Sequence, residues 1–68
     1  MIKMTQLQKA MAFDLMKKAE YDTSTCTIMH RRLGVPEKLI GKPIKHWFDD
    51  LTSQQGSDII RELKAQLA

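Results

Sequence analysis

Helix-breaking residues restrict the long helices of this chain to its two ends. Two glycines and two prolines occur within the segment 34–43, at Gly34, Pro36, Gly41 and Pro43. Glycine favours the left-handed conformation that ends a helix, and proline cannot continue one. We therefore expect one longer helix before this segment and one after it, with only short helical turns in between.

The N-terminal part of the chain predicts a helix from about Thr5 to Glu20. Thr5 is a candidate N-cap, and Gln8 stands three residues later, at the partner position of a capping box. On a helical projection the apolar residues share one face, which we expect to be buried. This face consists of Met4, Leu7, Met11, Ala12, Leu15 and Ala19.

A turn and a second, shorter helix are predicted next. The residues 22–25 (DTST) readily hydrogen-bond their own backbone and indicate a turn. The helix would run from about Thr25 to Leu33, with Gly34 as the left-handed residue beyond its end. We expect Cys26, Met29 and Leu33 to face inward.

The C-terminal part predicts a short aromatic helix followed by a well-defined long one. Ile44, Trp47, Phe48 and Leu51 recur at helical spacing after Pro43, so this turn should fill the core. Loss of either aromatic ring should cost roughly 3–5 kcal/mol. Thr52 and Gln55 then form a T-x-x-Q capping box, and the apolar face of the last helix follows at Ile59, Ile60, Leu63 and Leu67.

Gly56 lies on the apolar face of this last helix, where alanine would be more favourable for the helix by about 1 kcal/mol. A glycine at that position lets another part of the chain approach closely. We expect the Trp47–Phe48 segment to pack there. The alternative is that the first helical turn is simply weak.

Together these patterns predict an all-α fold, a compact small bundle of two longer and two shorter helices that forms one domain over residues 1–68. No alternating apolar pattern or hairpin turn indicates a β-strand. The predicted core is Leu7, Met11, Leu15, Leu33, Ile44, Trp47, Phe48, Ile59, Ile60 and Leu63.

A chain of 68 residues can bury only a small hydrophobic core. Chains of this size usually gain further stability from disulfides, a bound metal or a partner. Cys26 is the only cysteine, which excludes an internal disulfide, and with His30 and His46 it matches no zinc pattern. We therefore predict no metal and no cofactor, while self-association stays open. No apolar run suggests a membrane span or a signal peptide, so we expect a cytoplasmic protein with no membrane partner.

Positive charge is concentrated in residues 30–46. This basic segment holds five basic residues and only one acidic residue, a local charge of +4, so the rest of the chain sums to −1. Concentrated positive charge is typical of nucleic-acid binding, although lysine and arginine also simply cover the wet side of small domains. The candidate nucleic-acid-binding residues are Arg31, Arg32, Lys38, Lys42 and Lys45.

Two residue pairs have side chains that could support catalysis, but the sequence supplies no further catalytic or metal-binding group for either pair. Asp49 and Asp50 are adjacent, so they point in different directions on a helix, and acids before a helix N-terminus are explained by its dipole. Cys26 and His30 are spaced for one helix face, but the sequence supplies no orienting third group. Isolated glycines make no phosphate loop. We therefore predict a protein that is not an enzyme and has no small-molecule substrate.

Phe13 projects opposite the expected apolar face of the first helix, between Lys9 and Lys17. Three interpretations stay open: a second core contact shared with Met16, a protein or dimer interface, or an aromatic ring that stacks on a base. The candidate partner-binding residues are Lys9, Phe13, Met16 and Lys17.

The segment 25–35 looks like the first helix and turn of a helix-turn-helix unit, but the following prolines and Gly41 leave one helical turn where the recognition helix should be.

The string 42–64 (KPIKHWFDDLTSQQGSDIIRELK) has a short hydrophobic turn, an "L-T" pair and an "I-x-x-L-K" ending. It resembles a helical tail of phage and prophage proteins, including the Mu GemA-like (gp16-like) group and some phage recombination proteins. Leu33-Gly34 also matches the "L-G" end of a second helix in that group. Gly56 departs from the pattern, which prefers alanine. The resemblance implies an origin in mobile elements and implies no active site.

Two functional hypotheses follow. The first is a small, non-enzymatic accessory protein of phage or prophage type that binds nucleic acid non-specifically through the basic segment. The second is a protein-interaction module, an inhibitor or adaptor of a host protein, that uses the Met-rich first helix and Phe13.

Overall fold

Two capped helices lie side by side in the computed structural model, which describes residues 2–68. Helix α1 is Gln6–Lys18, helix α2 is the short Trp47–Asp50, and helix α3 is Ser53–Leu67. Three 3-10 helices, Ile28–Leu33, Glu37–Leu39 and Ile44–His46, lie between α1 and α2. The described residues contain only isolated β-bridges and no strand. The all-α fold with two longer helices and shorter helical turns is confirmed.

Both predicted capping boxes are present. The Thr5 and Thr52 hydroxyls accept the backbone N–H groups of Gln8 and Gln55, and the two glutamine side chains accept the N–H groups of the two threonines. The helices α1 and α3 run parallel, since Gln8 bonds to Ser57 near their starts. Near their ends, the Tyr21 hydroxyl donates to the Gln66 side chain at 2.6 Å.

Helix α1 ends before the predicted Glu20. The N–H of Tyr21 bonds to the carbonyl of Met16 and the N–H of Glu20 to that of Lys17, the two bonds of a Schellman motif. Glu20 occupies the left-handed position of this motif, with φ of 63°, where glycine is usual. The change of direction here turns the chain back along the helix pair.

The buried face of α1 differs from the predicted one. Leu7 is 71% exposed and Met11 is 38% exposed, whereas Ala12 and Met16 are fully buried. The small Ala12 side chain allows close approach of the rest of the fold on that side, and the domain is too small to cover every apolar position of the helix. The prediction that Leu7 and Met11 belong to the core is therefore wrong.

The second predicted helix is shorter and tighter than expected. The residues 25–27 are extended because Cys26 exchanges backbone hydrogen bonds with the chain at Gly41 and Lys42. The 3-10 helix Ile28–Leu33 follows, and Met29, predicted to face inward, is 48% exposed. Gly34 ends this helix with φ of 83°, as predicted.

Trp47 lies at the centre of the core. Of the predicted core residues, six are confirmed as buried: Leu33, Ile44, Trp47, Ile59, Ile60 and Leu63. Leu15 and Phe48 are half-buried and pack against the core from its edge. The core also contains Met4, Ala12, Met16, Tyr21, Cys26, Val35, Leu39 and Leu51. No helix among residues 2–68 is both long enough and apolar enough to cross a membrane.

Gly56 is a site of close packing, but its neighbour is Met4 and not the predicted Trp47–Phe48 segment. A β-carbon at Gly56 would lie 2.7 Å from Cγ of Met4. The backbone of Met4 cannot easily move away, because its N–H bonds to the carbonyl of Leu51 at 3.1 Å. The glycine therefore fixes the distance between the start of the chain and α3.

We predict that Gly56→Ala lowers the free energy of unfolding by about 1 kcal/mol, since the clash with Met4 exceeds the gain in helix propensity. In a Met4→Ala background the same change should instead stabilise the protein by up to about 1 kcal/mol. Urea unfolding followed by the fluorescence of Trp47 measures both. Equal effects of Gly56→Ala in the two backgrounds would contradict the contact.

Candidate nucleic-acid interface

The basic segment, residues 30–46, covers one side of the core as a series of short turns. Buried apolar residues recur along it, and they hold the backbone against the core at Leu33, Val35, Leu39 and Ile44. Lys38 and Lys42 fall between these anchors, and the other three basic residues lie within two positions of the first or the last anchor. This interleaving of buried apolar and basic positions directs positive side chains into solvent from a backbone that is fixed.

All five candidate nucleic-acid-binding residues are exposed: Arg31, Arg32, Lys38, Lys42 and Lys45. The Arg31 guanidinium lies 3.7 Å from the Glu37 carboxylate, and both side chains are more than half exposed. Such an exposed pair contributes little to stability. Within residues 2–68, the other four basic side chains have no acidic partner within 4.0 Å, so they leave a surface of net positive charge.

Backbone hydrogen bonds fix the far end of the basic segment. The carbonyl of Lys42 accepts the N–H of Cys26 at 2.9 Å, and the N–H of Gly41 donates to the carbonyl of Cys26 at 2.7 Å. The N–H of Ile44 donates to the carbonyl of Ser24 at 3.0 Å. The turn at 22–26 is therefore the internal support on which residues 41–44 rest.

His30 connects the same turn to the core and adds no charge to the surface. Its side chain is fully buried, between the rings of Tyr21 and Trp47. Nδ1 accepts the N–H of Thr27 at 2.9 Å, so the proton is on Nε2, which donates to the carbonyl of Asp22 at 2.9 Å. His30 is therefore a buried structural residue of the basic segment.

Asp22 caps the supporting turn with its carboxylate. The Asp22 carboxylate accepts the N–H groups of Thr25 and Ser24 and the Ser24 hydroxyl. These bonds, that of Thr25 first, lower the pKa of Asp22 below its ordinary value. The carboxylate is therefore ionised when it stabilises the turn.

Cys26 and His30 do not form a nucleophilic pair. Cys26 is buried outside any helix, and burial raises the pKa of its thiol, an effect that the neighbouring indole N–H of Trp47 partly opposes. That N–H has no acceptor in good hydrogen-bonding geometry among the described residues. Both ring nitrogens of His30 are already bonded. Within residues 2–68, no three His, Cys, Asp or Glu side chains converge in a metal-binding group.

Arg61 of α3 extends the basic surface, which the sequence alone did not reveal. It lines an open cleft of about 410 Å³ together with Arg31 and Arg32. Asp58, 3.3 Å from Arg61, and Glu62 lie in the same cleft and reduce its positive charge. The exposed side of α3 was the only sequence signal for Arg61, because its approach to Arg31 depends on the tertiary fold.

The predicted partner-binding surface on α1 is largely absent. Met16 is fully buried and Lys9 is only 8% exposed, so neither side chain is available to a partner. Phe13 is half-buried against the core, and Lys17 is exposed. The prediction fails for Lys9 and Met16 because the buried face of α1 is the one that carries them.

Lys9 joins α1 to the chain before α3. Its ammonium group donates to the carbonyl of Lys45 at 2.9 Å and lies 4.1 Å from the centre of the Phe48 ring and 5.4 Å from that of Phe13. Burial lowers the pKa of Lys9; the nearby positive charge of Lys45 acts in the same direction and Asp49 opposes it. The aliphatic stem fills space that any replacement must also fill.

Comparison of the chain with protein-family models, curated proteins and solved structures finds no match in any of the three. The similarity to phage helical modules therefore stays a prediction. What the basic surface can do is inferred from its own geometry and charge.

We predict that Lys9→Met changes the free energy of unfolding by less than about 1 kcal/mol, because the loss of the hydrogen bond and ring contacts is offset by the removal of a desolvated charge. Lys9→Ala should cost about 2 kcal/mol or more, since it also removes the packed stem. Urea unfolding of the two variants measures the difference. An equal loss in both would show that the ammonium group, and not the stem, stabilises the fold.

Proposed function

We propose that this protein is a small non-enzymatic accessory protein that binds nucleic acid non-specifically through the basic segment, residues 30–46. The observation that carries the proposal is the arrangement of the five exposed basic side chains on a backbone anchored by buried neighbours. A fixed array of positive charge attracts phosphate groups whatever the base sequence.

The lack of neutralising acids supports this function over a purely solvating role for the same residues. Glu37 is the single acidic residue of the segment, and it lies beside Arg31 only. A surface whose lysines and arginines serve solubility alone usually mixes both signs of charge. Phosphate contacts by several of these side chains would release counterions, which supplies most of the free energy of non-specific binding.

The shape of the segment favours contacts with the phosphate backbone over reading of bases. The helical turns at Glu37–Leu39 and Ile44–His46 are three residues each, too short to lie along a major groove as a recognition helix does. The exposed groups on these turns are mainly lysines, which act as point charges and carry little information about sequence. The proposal therefore includes both DNA and RNA, with little preference among sequences.

An origin in a phage or prophage is part of the same proposal. It rests on the resemblance of residues 42–64, whose matching features include the helix α3 capping box and its apolar face. The competing proposal of a protein-interaction module on Lys9, Phe13, Met16 and Lys17 is less well supported, because two of these four side chains are buried.

Fluorescence anisotropy of labelled single- and double-stranded DNA and RNA tests the proposal. We expect micromolar binding at low salt. If all five side chains contact phosphates of a duplex, affinity should fall by up to roughly 500-fold between about 50 and about 200 mM salt. The double variants Arg31→Glu/Arg32→Glu and Lys42→Glu/Lys45→Glu should each abolish most of the binding.

A matched control separates the basic segment from net charge. Lys3→Glu/Lys17→Glu changes the net charge by the same amount at two exposed residues outside the segment, and it should weaken binding far less. The proposal is wrong if the control variant loses as much affinity as the others, or if the protein does not bind any of the nucleic acids at low salt.

A further inference from the structure

A groove runs beside α3, partly between α3 and α1, and it adjoins the proposed nucleic-acid interface because Arg61 lines both. One part of it, about 420 Å³, is lined by Gln8, Met11, Ser57, Ile60, Arg61 and Lys64. A second part, about 510 Å³, lies towards the start of α3 and also borders Ser57. Between Ser53 and Lys64 the groove follows α3 for about 16 Å, which matches three turns of a helix.

Apolar side chains line this groove at intervals. Ile2 is 76% exposed at one end, and Met11 faces Ile60 in the middle. Leu7, 71% exposed, lies one turn before Met11 on the outer side of α1. Leu7 and Met11 are residues of α1 that the sequence assigns to the core, and no residue of the described chain buries them.

The charged residues that line the groove are all positive. Arg61 and Lys64 are on its α3 side, and no acidic residue lines either part of it within the described chain. Arg61 is 3.3 Å from Asp58, whereas the ammonium group of Lys64 has no acidic partner within 4.0 Å among residues 2–68. The groove thus combines an apolar floor with one unpaired ammonium group, that of Lys64, beside Arg61, whose charge Asp58 partly neutralises.

This combination distinguishes among the possible occupants. A second copy related by two-fold symmetry would bring the same groove, whose charged residues are all positive, against itself, and like charges at an interface are unfavourable. Nucleic acid would match the charge but offers little apolar surface to Met11 and Ile60. An amphipathic helix with acidic residues beside its apolar stripe matches both features.

We infer that the α1–α3 groove is a docking site for an acidic amphipathic helix of a partner protein. The apolar stripe of that helix packs on Met11, Ile60 and Ile2, and its acidic residues lie against Lys64 and Arg61. Because no residue of the basic segment lines the groove, the protein can then hold a protein partner and nucleic acid together, as an adaptor does.

A synthetic three-turn peptide tests this inference. It carries leucines at i, i+3, i+4 and i+7 with glutamates on both sides of the stripe, and the control peptide has the same residues in scrambled order. Anisotropy of the labelled peptides against the full chain should show micromolar binding of the first. The scrambled peptide should bind at least about tenfold more weakly, because its glutamates and leucines no longer lie on separate faces.

Variants of the groove assign the binding to named residues. Met11→Gln removes apolar surface and Lys64→Glu reverses charge, and each should weaken peptide binding by about tenfold, equivalent to 1.4 kcal/mol. Lys64→Arg should restore it, and Lys42→Glu/Lys45→Glu in the basic segment should bind as the unchanged protein does. Circular dichroism confirms that Met11→Gln and Lys64→Glu fold, as expected for partly exposed residues.

Four results would overturn the inference. The first two would be that the peptide does not bind at millimolar concentration, or that it binds no better than its scrambled form. The third would be that Met11→Gln and Lys64→Glu weaken binding of a DNA duplex and leave peptide binding unchanged, which would assign the groove to nucleic acid. The fourth would be a dimer in sedimentation experiments that Met11→Gln dissociates, which would assign the groove to a second copy of the chain.

Discussion

Hydrogen bonds hold the N-termini of α1 and α3 side by side, and the rest of the structure depends on these bonds. Ile2 accepts the N–H of Ser53, and Met4 donates to the carbonyl of Leu51, so each cap lies beside the other. Gln8 adds two hydrogen bonds between the helices, since its amide donates to the Ser53 carbonyl and the Ser57 hydroxyl. Two parallel helix starts place like ends of their dipoles together, and the caps and these bonds satisfy several of the free N–H groups there.

Parallel helices require the connecting chain to return along their whole length. Helix α1 has 13 residues and is therefore about 20 Å long, so the chain between α1 and α3 must cover that distance while it also fills the core. Short 3-10 turns with one or two buried side chains each meet both needs. The basic side chains are exposed as a consequence, because they occupy positions beside the buried anchors that do not face the core.

The sequence predicts those parts of the fold that depend on local chemistry. Capping boxes, the left-handed Gly34 and the apolar repeat of α3 are all set by residues a few positions apart, and all are confirmed except for Leu67 at the end of the repeat, which is 40% exposed. Helix α1 is different because it has apolar residues around much of its circumference, and helical spacing alone does not show which stripe becomes buried. The partner that packs on Ala12 and Met16 is distant in the sequence.

The features of the candidate site also fall into two groups, those that the sequence predicts and those that depend on tertiary contacts. The exposed positions of Arg31, Arg32, Lys38, Lys42 and Lys45 follow from charge alone and agree with the structure. The burial of Lys9 and His30, the pairing of 24–26 with 41–44, and the nearness of Arg61 to Arg31 depend on contacts between distant segments. Short-range patterns carry no information about these contacts.

Our account assigns nucleic acid to the basic segment and leaves the groove open for a protein helix. The most direct measurement is a two-dimensional ¹H–¹⁵N NMR titration of the protein with a short DNA duplex at low salt. The account predicts that the amide signals of residues 31–45 shift and that those of Leu7, Met11 and Lys64 do not. Shifts centred on α1 and α3, or no shifts at all, would contradict it.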